Sequence, residues 1–421
     1  MAEILSLNIQ SEIGELEGVI LHTPGAEVEN MTPGTAQRAL YSDILNLSIA
    51  KTEYEQLQGV LEKYTRTFQV SQLLQQVLEN YSQREVLIKK ICASEGAGEY
   101  YEELMSMESA ELSRALIEGV PARKNTLTAF LSDEYYALYP LYNFYFTRDA
   151  SVTIGNNALI CKMANKVRMR ESLIMESIFR GSGAFSGGII NAHEFNPGNN
   201  ADIYMEGGDI LVAREDILLV GNGCRTSTKG IDMLIARLCR EHTRGVRHII
   251  VQQLPSQPES FIHLDMVFTL LDRDKCMVYE PLVLRDNQYQ TVHITIDNGR
   301  VSKIRSVPTI LHALRELGMD LEPVACGGSA DEWNQEREQW HSGANFFALA
   351  PGKLLSYSRN VNTLGELSKH GFEIIPAWDI LKGGRDAADY DKCVITIEGS
   401  ELPRGGGGAR CMTMPVRRKS L

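Results

Sequence analysis

The chain has 421 residues and a formal net charge of −12, and 43% of its residues are hydrophobic. This length is enough for two or three domains or for one large closed fold. The acidic balance argues against extended contact with nucleic acid or with an anionic membrane, because both need a basic surface. The first residues lack a basic segment followed by an apolar one, and no apolar run is long enough to span a bilayer.

Eight cysteines are spread along the chain without forming a C-x-x-C pair, so a zinc site of that type is not expected. They are Cys92, Cys161, Cys224, Cys239, Cys276, Cys326, Cys393 and Cys411. Scattered cysteines in an acidic chain without an export signal fit a reducing compartment, and we predict a cytoplasmic protein.

The N-terminal part of the chain predicts a strand, a helix and then a run of short helices. Residues 16–22 predict the first strand, and residues 49–63 have the apolar spacing of a helix. Over residues 71–137, three apolar stripes at helical spacing predict an inserted helical bundle. The stripes are Leu73, Leu74, Val77 and Leu78; Val86, Leu87 and Ile91; and Leu112, Leu116 and Ile117.

From residue 146 onward, a unit of two short strands joined by a turn recurs, in most copies with a helix after it. The predicted hairpins cover residues 152–161, 210–220, 267–279 and 346–357. Helices are predicted near residues 170–179, 229–241 and 363–370, and a last strand at 372–375. Such repeats are typical of blades around an axis, as in a propeller. The alternative is an ordinary α/β protein in which hairpins recur by chance.

Polar residues stand at the entry to each of the first three hairpins. The first entry carries Asn143 and Asp149, the second carries Glu206, and the third carries His263 and Asp265. Each cluster alone has an ordinary explanation, as a core histidine, a surface ion pair or a turn. Their recurrence at equivalent places favours a functional role. A metal site built from Glu, His and Asp is an alternative.

Near the C-terminus, four consecutive glycines at 405–408 precede Cys411. Glycine permits positive φ angles and a close approach of the backbone to a ligand. We predict a mobile loop that carries a sulfur nucleophile over a pocket; the alternative is a glycine-rich tail with an unrelated cysteine. Cys224 is the rival nucleophile, and we expect it to be a buried residue at the end of a strand.

Cysteine, histidine, glutamate and two aspartates together indicate a cationic substrate. A free thiol has a pKa of about 8.5, and neighbouring carboxylates raise it. Such neighbours make sense if the substrate itself is positively charged. A guanidinium group offers a planar set of donors that carboxylates accept, and its charge would stabilise a thiolate. The set therefore predicts attack of Cys411 on a guanidinium carbon.

Four motifs, in this order, resemble those of the arginine deiminase family of the guanidino-group-modifying superfamily. They are Phe146-Thr147-Arg148-Asp149, Met205-Glu206-Gly207-Gly208-Asp209, His263-Leu264-Asp265-Met266-Val267-Phe268-Thr269 and Ala409-Arg410-Cys411-Met412-Thr413-Met414-Pro415. The N-terminal Ser11-Glu12-Ile13-Gly14 and His22-Thr23-Pro24-Gly25 also fit.

The resemblance implies a fold, an activity and an assembly. The fold is a five-bladed pseudo-symmetric α/β propeller formed by residues 1–70 and 138–421, with an inserted helical domain at 71–137. The activity is hydrolysis of L-arginine to L-citrulline and ammonia, without a metal or an organic cofactor. The assembly is a homo-oligomer, either a dimer or a tetramer.

The resemblance also implies roles for five catalytic residues. Cys411 is the nucleophile, and Asp149 and Asp265 hold the guanidinium group. His263 protonates the departing ammonia and then activates water, while Glu206 orients or charges His263.

Four further residues are implied to bind the rest of the substrate. Phe146 would pack on its stem, and Asn143, Arg168 and Arg225 would meet its α-amino acid end. The alternative is that Arg168 is a solvated residue at a helix start and that Arg225 pairs with a nearby acid. If both arginines bind a carboxylate, we expect them to face each other unpaired in its absence.

The sequence departs from the family pattern at two places. Ala150 stands where the family usually has proline, which leaves the turn after Asp149 less fixed. The glycine run is uninterrupted where some members carry an arginine close to the cysteine, and Arg404 or Arg410 are the candidates to replace it. Two other functions stay open: an amidinotransferase of the same superfamily, and an arginine-binding protein without activity. The intact catalytic set argues against the second.

Overall fold

The computed structural model describes residues 4–36, 38, 40, 41, 43–195, 202–241 and 245–421. It is a mixed α/β protein, so the predicted α/β class is confirmed. Within those residues, five sheets have three or more strands, and we number them I to V. Sheet I contains Ser151–Ile154, Asn157–Ile160 and Gly188–Asn191; sheet II contains Ile210–Arg214, Ile217–Asn222, Val246–Gln253, Thr291–Asp297 and Arg300–Val307; sheet III contains Phe268–Leu270, Lys275–Val278 and Glu322–Ala325; sheet IV contains Phe347–Ala350, Lys353–Tyr357, Cys393–Ile397 and Glu373–Pro376; sheet V contains Met414–Arg418, Leu16–Leu21 and Arg66–Gln69.

One connection pattern is common to the five sheets. The first strand pairs antiparallel with the second, and the second pairs parallel with the third. In sheets I to IV the first two strands are consecutive in the chain. In sheet V the first strand, Met414–Arg418, comes from the C-terminus and pairs with Leu16–Leu21 near the N-terminus. The two ends of the chain are therefore joined in one sheet.

Helices connect the strands and cover the sheets. The α-helices are Ala26–Glu29, Pro33–Ala36, Leu47–Tyr64, Val70–Glu79, Tyr81–Glu95, Tyr101–Ser106, Ser109–Glu118, Leu127–Leu131, Thr147–Ala150, Met169–Gly181, Thr228–Glu241, Glu280–Val283, Ile310–Glu316, Glu332–Trp340, Val361–Lys369 and Ala377–Leu381. Short 3₁₀ turns are Gly98–Tyr100, Lys166–Arg168, Ala192–Glu194, Gly207–Asp209, Glu259–Phe261, Leu264–Met266, Ala387–Asp389 and Leu402–Gly405. Two short strand pairs complete the fold: Leu5–Ser6 with Phe185–Ser186, and Val120–Pro121 with Tyr136–Leu138.

The helices of residues 70–118 bury their apolar stripes as the sequence predicts, with one exception. Leu73, Leu74, Leu87 and Ile91 are buried, whereas Val86 is 51% exposed, so its place in the second stripe was wrong. These stripes share one apolar core with helix Met169–Gly181 and with strand Met414–Arg418. The helical segment therefore packs directly on sheets I and V, and its description as a separate domain stays a prediction.

The predicted hairpins and the helices that follow them are present within a few residues of their expected bounds. The sequence reading did not identify the hairpin of Thr291–Asp297 and Arg300–Val307, which extends sheet II, nor strand Cys393–Ile397 of sheet IV. None of the helices in the described part of the chain combines the length and the apolar character needed to cross a membrane.

Candidate active site

The site lies where the chain enters the first strand of each sheet. Asp149 precedes sheet I, Glu206 precedes sheet II, and His263 precedes sheet III; Asp265 belongs to the same third entry. The fourth and fifth entries place two further groups beside these. They are Asn345, two residues before strand Phe347–Ala350, and Cys411, three residues before strand Met414–Arg418. Because the five sheets share one connection pattern, equivalent entries converge on one place.

Cys411 lies in a tight turn at this place and is 3% exposed. The turn is held by the backbone, since Met412 N–H donates to Gly408 O at 3.2 Å and Thr413 N–H donates to Arg410 O at 3.1 Å. Its Sγ lies 3.6 Å from Asp265 Oδ2. Burial and then the carboxylates of Asp265 and Asp149 raise the pKa of the thiol well above its usual value. Without a bound cation, the thiol is therefore the favoured form.

His263 lies between two carboxylates. Its Nε2 is 3.0 Å from Glu206 Oε2, and its Nδ1 is 3.7 Å from Asp149 Oδ1. A Cβ at residue 208 would lie 2.7 Å from His263 Nδ1, so glycine there permits this approach. Burial lowers the pKa of His263, but the charge of Asp149 and the hydrogen bond that Glu206 accepts outweigh burial and raise it. The pKa of Glu206 is lowered, because Arg225 and His263 outweigh its burial.

Asp265 belongs to a second, fully buried ion network. Its Oδ2 accepts from Arg410 Nη1 at 2.7 Å, and the same guanidinium pairs with Glu12 at 3.1 Å. Burial raises the pKa of Glu12, but the attraction of Arg410 and Arg148 outweighs burial and holds that pKa at about 2. Arg410 is thus committed to Glu12 and Asp265, and it does not face the cavity beside Cys411.

The two arginines expected at the far end of the substrate are both buried against acids. Arg168 donates to Asp149 Oδ2 at 2.7 Å and to Glu171 Oε2 at 2.8 Å. Arg225 Nη1 lies 3.6 Å from Glu206 Oε1 and has no hydrogen-bond partner in the described part of the chain. The alternative of a solvated Arg168 was wrong, because this residue is 4% exposed. The expectation of two unpaired cations was also wrong, because each has a carboxylate within 4 Å.

A cavity of about 40 Å³ is lined by most of the residues that the sequence predicts for the site. Its lining includes Asn143, Phe146, Asp149, Arg168, Arg225, His263, Gly405, Gly406, Gly407 and Cys411. Glu206 and Asp265 lie behind this surface. This volume is enough for one or two water molecules.

The glycine run packs tightly over the cavity. A Cβ at residue 407 would lie 2.4 Å from the ring of Phe146, and one at residue 405 would lie 2.0 Å from the hydroxyl oxygen of Tyr145. Gly406 has a φ of 83°, in the left-handed region. Each of these three glycines is thus required by close packing or by φ, whether or not the loop moves. Its predicted mobility stays a prediction.

Two other candidate residues of the sequence analysis, Arg404 and Cys224, are exposed. Arg404 is largely exposed and forms ion pairs with Asp43 and Glu401. Cys224 is exposed in the loop after strand Ile217–Asn222, so its prediction as a buried strand-end residue was wrong. Neither residue lines the cavity with Cys411.

One group in the described residues has the composition and spacing of a metal site. One ligand atom from each of Asp149, Glu206 and His263 lies within 4.8 Å of the other two. Arg168 and Arg225 already bring two positive charges within 4 Å of these carboxylates. A divalent cation would meet repulsion from both, so the arrangement favours acid–base work over metal binding.

Sequence reasoning did not identify Asn345 and gave Glu12 no role. It named Arg410 as a candidate for the loop arginine near the cysteine, not as the partner of Asp265 and Glu12. A signal for Asn345 was present, because the fourth predicted hairpin begins directly after it and the first three entries all carry polar residues. Glu12 had no comparable signal. Its contact with Arg410 joins residues almost 400 positions apart.

Comparison with known proteins identifies the family to which the chain belongs. Residues 37–418 match the family model described as arginine deiminase. A curated arginine deiminase of Bacillus cereus is 31% identical, with 99% of each chain covered. Two solved structures share the fold at low identity. The substrate-bound N-terminal domain of ArgZ, an arginine dihydrolase from cyanobacteria, has a TM-score of 0.52 at 13% identity and covers 96% of this chain and 99% of its own. SxtG, an amidinotransferase from Microseira wollei, has a TM-score of 0.51 at 12% identity and covers 99% of this chain and 98% of its own. The chain belongs to the arginine deiminase family and is an enzyme of that family.

Proposed function

We propose that this enzyme hydrolyses L-arginine to L-citrulline and ammonia through a covalent intermediate on Cys411. The observation that supports it most is a pair of carboxylate oxygens at the nucleophile. Asp149 Oδ1 and Asp265 Oδ1 are both buried, and neither has a hydrogen-bond partner among the described groups. A buried acceptor without a partner is costly, and a guanidinium would supply donors to both.

In the first half-reaction, the thiolate of Cys411 attacks the central carbon of the guanidinium. The bound cation offsets the negative field of Asp149 and Asp265, so it lowers the pKa of the thiol when the substrate is in place. The tetrahedral intermediate collapses with cleavage of a carbon–nitrogen bond. The electron pair goes to nitrogen, and His263 donates the proton that lets ammonia leave.

In the second half-reaction, water replaces the sulfur. His263, now neutral, takes a proton from the water that attacks the thiouronium carbon. The carbon–sulfur bond then breaks, the sulfur leaves as thiolate, the hydroxyl group of the intermediate loses its proton to solvent, and citrulline is released. Glu206 favours the protonated form of His263 through Nε2, which leaves Nδ1 free to exchange the proton.

The fold that we propose for this chemistry is a five-bladed α/β propeller. Five sheets with one connection pattern, and the pairing of both chain ends in sheet V, support it. The inserted helical domain of residues 71–137, the cytoplasmic location and the dimer or tetramer stay predictions.

The test is product formation from L-arginine by the wild type and by two cysteine variants. We expect ammonia and citrulline in equal amounts, and loss of both in Cys411→Ser with arginine binding retained, because serine is a far weaker nucleophile. Cys224→Ser is the matched control and should keep activity. Ornithine without ammonia, formed when an amine acceptor is added, would instead indicate an amidinotransferase. Activity that survives Cys411→Ser but not Cys224→Ser would refute the assignment of Cys411 as the nucleophile.

A further inference from the structure

Asn345 is a buried residue that contacts the nucleophile's turn with its whole side-chain amide. Its Oδ1 accepts from the backbone N–H of Arg410 at 2.9 Å and of Cys411 at 3.3 Å. Its Nδ2 donates to the carbonyl oxygen of Asp265 at 3.0 Å and to Cys411 Sγ at 3.3 Å. The residue is 1% exposed. The amide therefore joins the entry to sheet III, the entry to sheet IV and the nucleophile.

The backbone contacts decide which end of the amide faces the sulfur. Oxygen and nitrogen of an asparagine look alike, so their assignment rests on their partners. A backbone N–H can only donate and a backbone C=O can only accept. The N–H groups of Arg410 and Cys411 therefore require an oxygen, and the carbonyl of Asp265 requires the NH₂. The second hydrogen of that NH₂ then points at Cys411 Sγ.

We propose that Asn345 is a catalytic residue, which donates a hydrogen bond to the Cys411 thiolate during attack on the substrate. The inference rests on the proposed function, in which Cys411 is the nucleophile. Asn345 also holds the backbone of the turn through its Oδ1, and the two roles use different atoms.

The surroundings of the sulfur explain why a neutral donor is suited to this place. Asp265 Oδ2 lies 3.6 Å from Sγ, Met266 Sδ lies 3.8 Å away, and Asp149 adds a further negative field. Arg410 directly precedes Cys411 in the chain but is bonded to Asp265 and Glu12. A cationic donor at position 345 would pair with the carboxylates that the substrate needs. An amide stabilises the thiolate without neutralising them.

The same contact explains a glycine of the loop. A Cβ at residue 408 would lie 2.6 Å from Asn345 Oδ1. A larger residue at 408 would therefore push the amide away from the turn. Gly408 and Asn345 form one unit that fixes where the sulfur stands.

Two variants separate the donor from the acceptor. Asn345→Asp keeps an oxygen for the turn and replaces the NH₂ by a second oxygen. Asn345→Ala removes both contacts without adding a charge. Asn360→Asp is the matched control, because Asn360 is equally buried but donates to His341 O and has no contact with Cys411.

The first measurement is the ultraviolet absorbance of the thiolate against pH, as a difference from the same protein carrying Cys411→Ser. We expect the titration of Cys411 to move upward by about one unit or more in both Asn345 variants, and not in Asn360→Asp. The second measurement is turnover of L-arginine, where kcat should fall about tenfold or more with a much smaller change in KM.

The outcomes distinguish this inference from the proposed function. A titration that stays in place in Asn345→Ala, or that moves only in Asn345→Asp, would overturn the hydrogen bond to sulfur and leave arginine hydrolysis standing. A wild type that produces no citrulline, together with the expected shift, would refute the proposed function but keep the contact. If Asn345→Ala fails to fold, Asn345→Asp with an unmoved titration still overturns the inference.

Discussion

Two ion networks meet at the site, and in each of them a cationic side chain lies between two carboxylates. On the cavity side, His263 lies between Glu206 at 3.0 Å and Asp149 at 3.7 Å. On the buried side, Arg410 lies between Asp265 at 2.7 Å and Glu12 at 3.1 Å. The geometry is similar, but the chemistry differs. An imidazolium can lose its proton in the physiological range, whereas a guanidinium cannot.

This difference assigns different work to the two networks. The cavity side can give and take a proton, which both half-reactions require. The buried side carries a permanent charge that fixes Asp265 beside the sulfur and holds the backbone of the nucleophile's turn. We therefore expect changes on the cavity side to affect turnover, and changes on the buried side to affect stability first.

The largest effect is expected for His263→Ala. Removing the acid–base group should lower kcat by about 10²–10⁴-fold, because ammonia departs without its proton and water attacks without a base. The covalent adduct should then persist at Cys411, where intact-protein mass spectrometry after an acid quench can detect it. Repeated absence of an adduct, in the wild type and in the variant alike, would point to direct attack by water.

Glu12→Gln should destabilise the fold. The variant leaves Arg410 buried with only Asp265 as a charged partner, and loss of one member of a buried pair costs about 3–5 kcal/mol. The matched control is Glu15→Gln, which breaks an exposed pair with Lys419 and should cost at most about 1 kcal/mol. Chemical denaturation measures both. Equal losses in the two variants would contradict a special role for the buried network.

The difference in unfolding free energy between the wild type and Glu12→Gln should depend on pH with a definite sign. The pKa of Glu12 is about 2 in the folded protein, below its value in the unfolded chain. The stabilisation from its ionised form is therefore complete above the unfolded pKa and is lost as the pH falls toward 2. The gap in unfolding free energy between the wild type and Glu12→Gln should stay constant near neutral pH and shrink in acid.

The hairpins and the positions of the candidate catalytic side chains were predictable because both depend on local patterns. Strand alternation and turn residues locate each hairpin, and the repeat places polar groups such as Asp149 and His263 at equivalent entries. The same reasoning could have reached Asn345 at the fourth entry. It could not reach Glu12, whose role arises only when the chain ends pair in sheet V.

Burial and pairing of the arginines were not predictable for a related reason. Arg168 ends a short 3₁₀ turn and directly precedes a helix, which is typical of a solvated residue. Its burial comes from contacts with Asp149 on another segment and with Asn143 O. Val86 shows the converse, since helical spacing placed it on an apolar stripe although no neighbouring element covers it.

The smallest effect is expected for the preference between two substrates. This preference should depend differently on Arg168 and Arg225, the two arginines of the cavity side. Arg168 is fully engaged by Asp149 and Glu171, whereas Arg225 Nη1 has an ion pair at 3.6 Å and no hydrogen bond within the described residues. Arg225 is therefore the better candidate for the substrate carboxylate. A charge-assisted contact contributes about 1.5–3 kcal/mol, which corresponds to about 10–100-fold in kcat/KM.

We therefore expect the wild type to use L-arginine far better than agmatine, which lacks the carboxylate. Arg225→Ala should narrow this ratio, because it weakens L-arginine alone. Arg168→Ala should lower kcat/KM for both substrates. The change removes the ion-pair partner of Asp149, and Asp149 would contact the guanidinium group of either substrate. A ratio that narrows in Arg168→Ala and stays unchanged in Arg225→Ala would reverse the assignment. Equal use of the two substrates by the wild type would show that neither arginine reads the carboxylate.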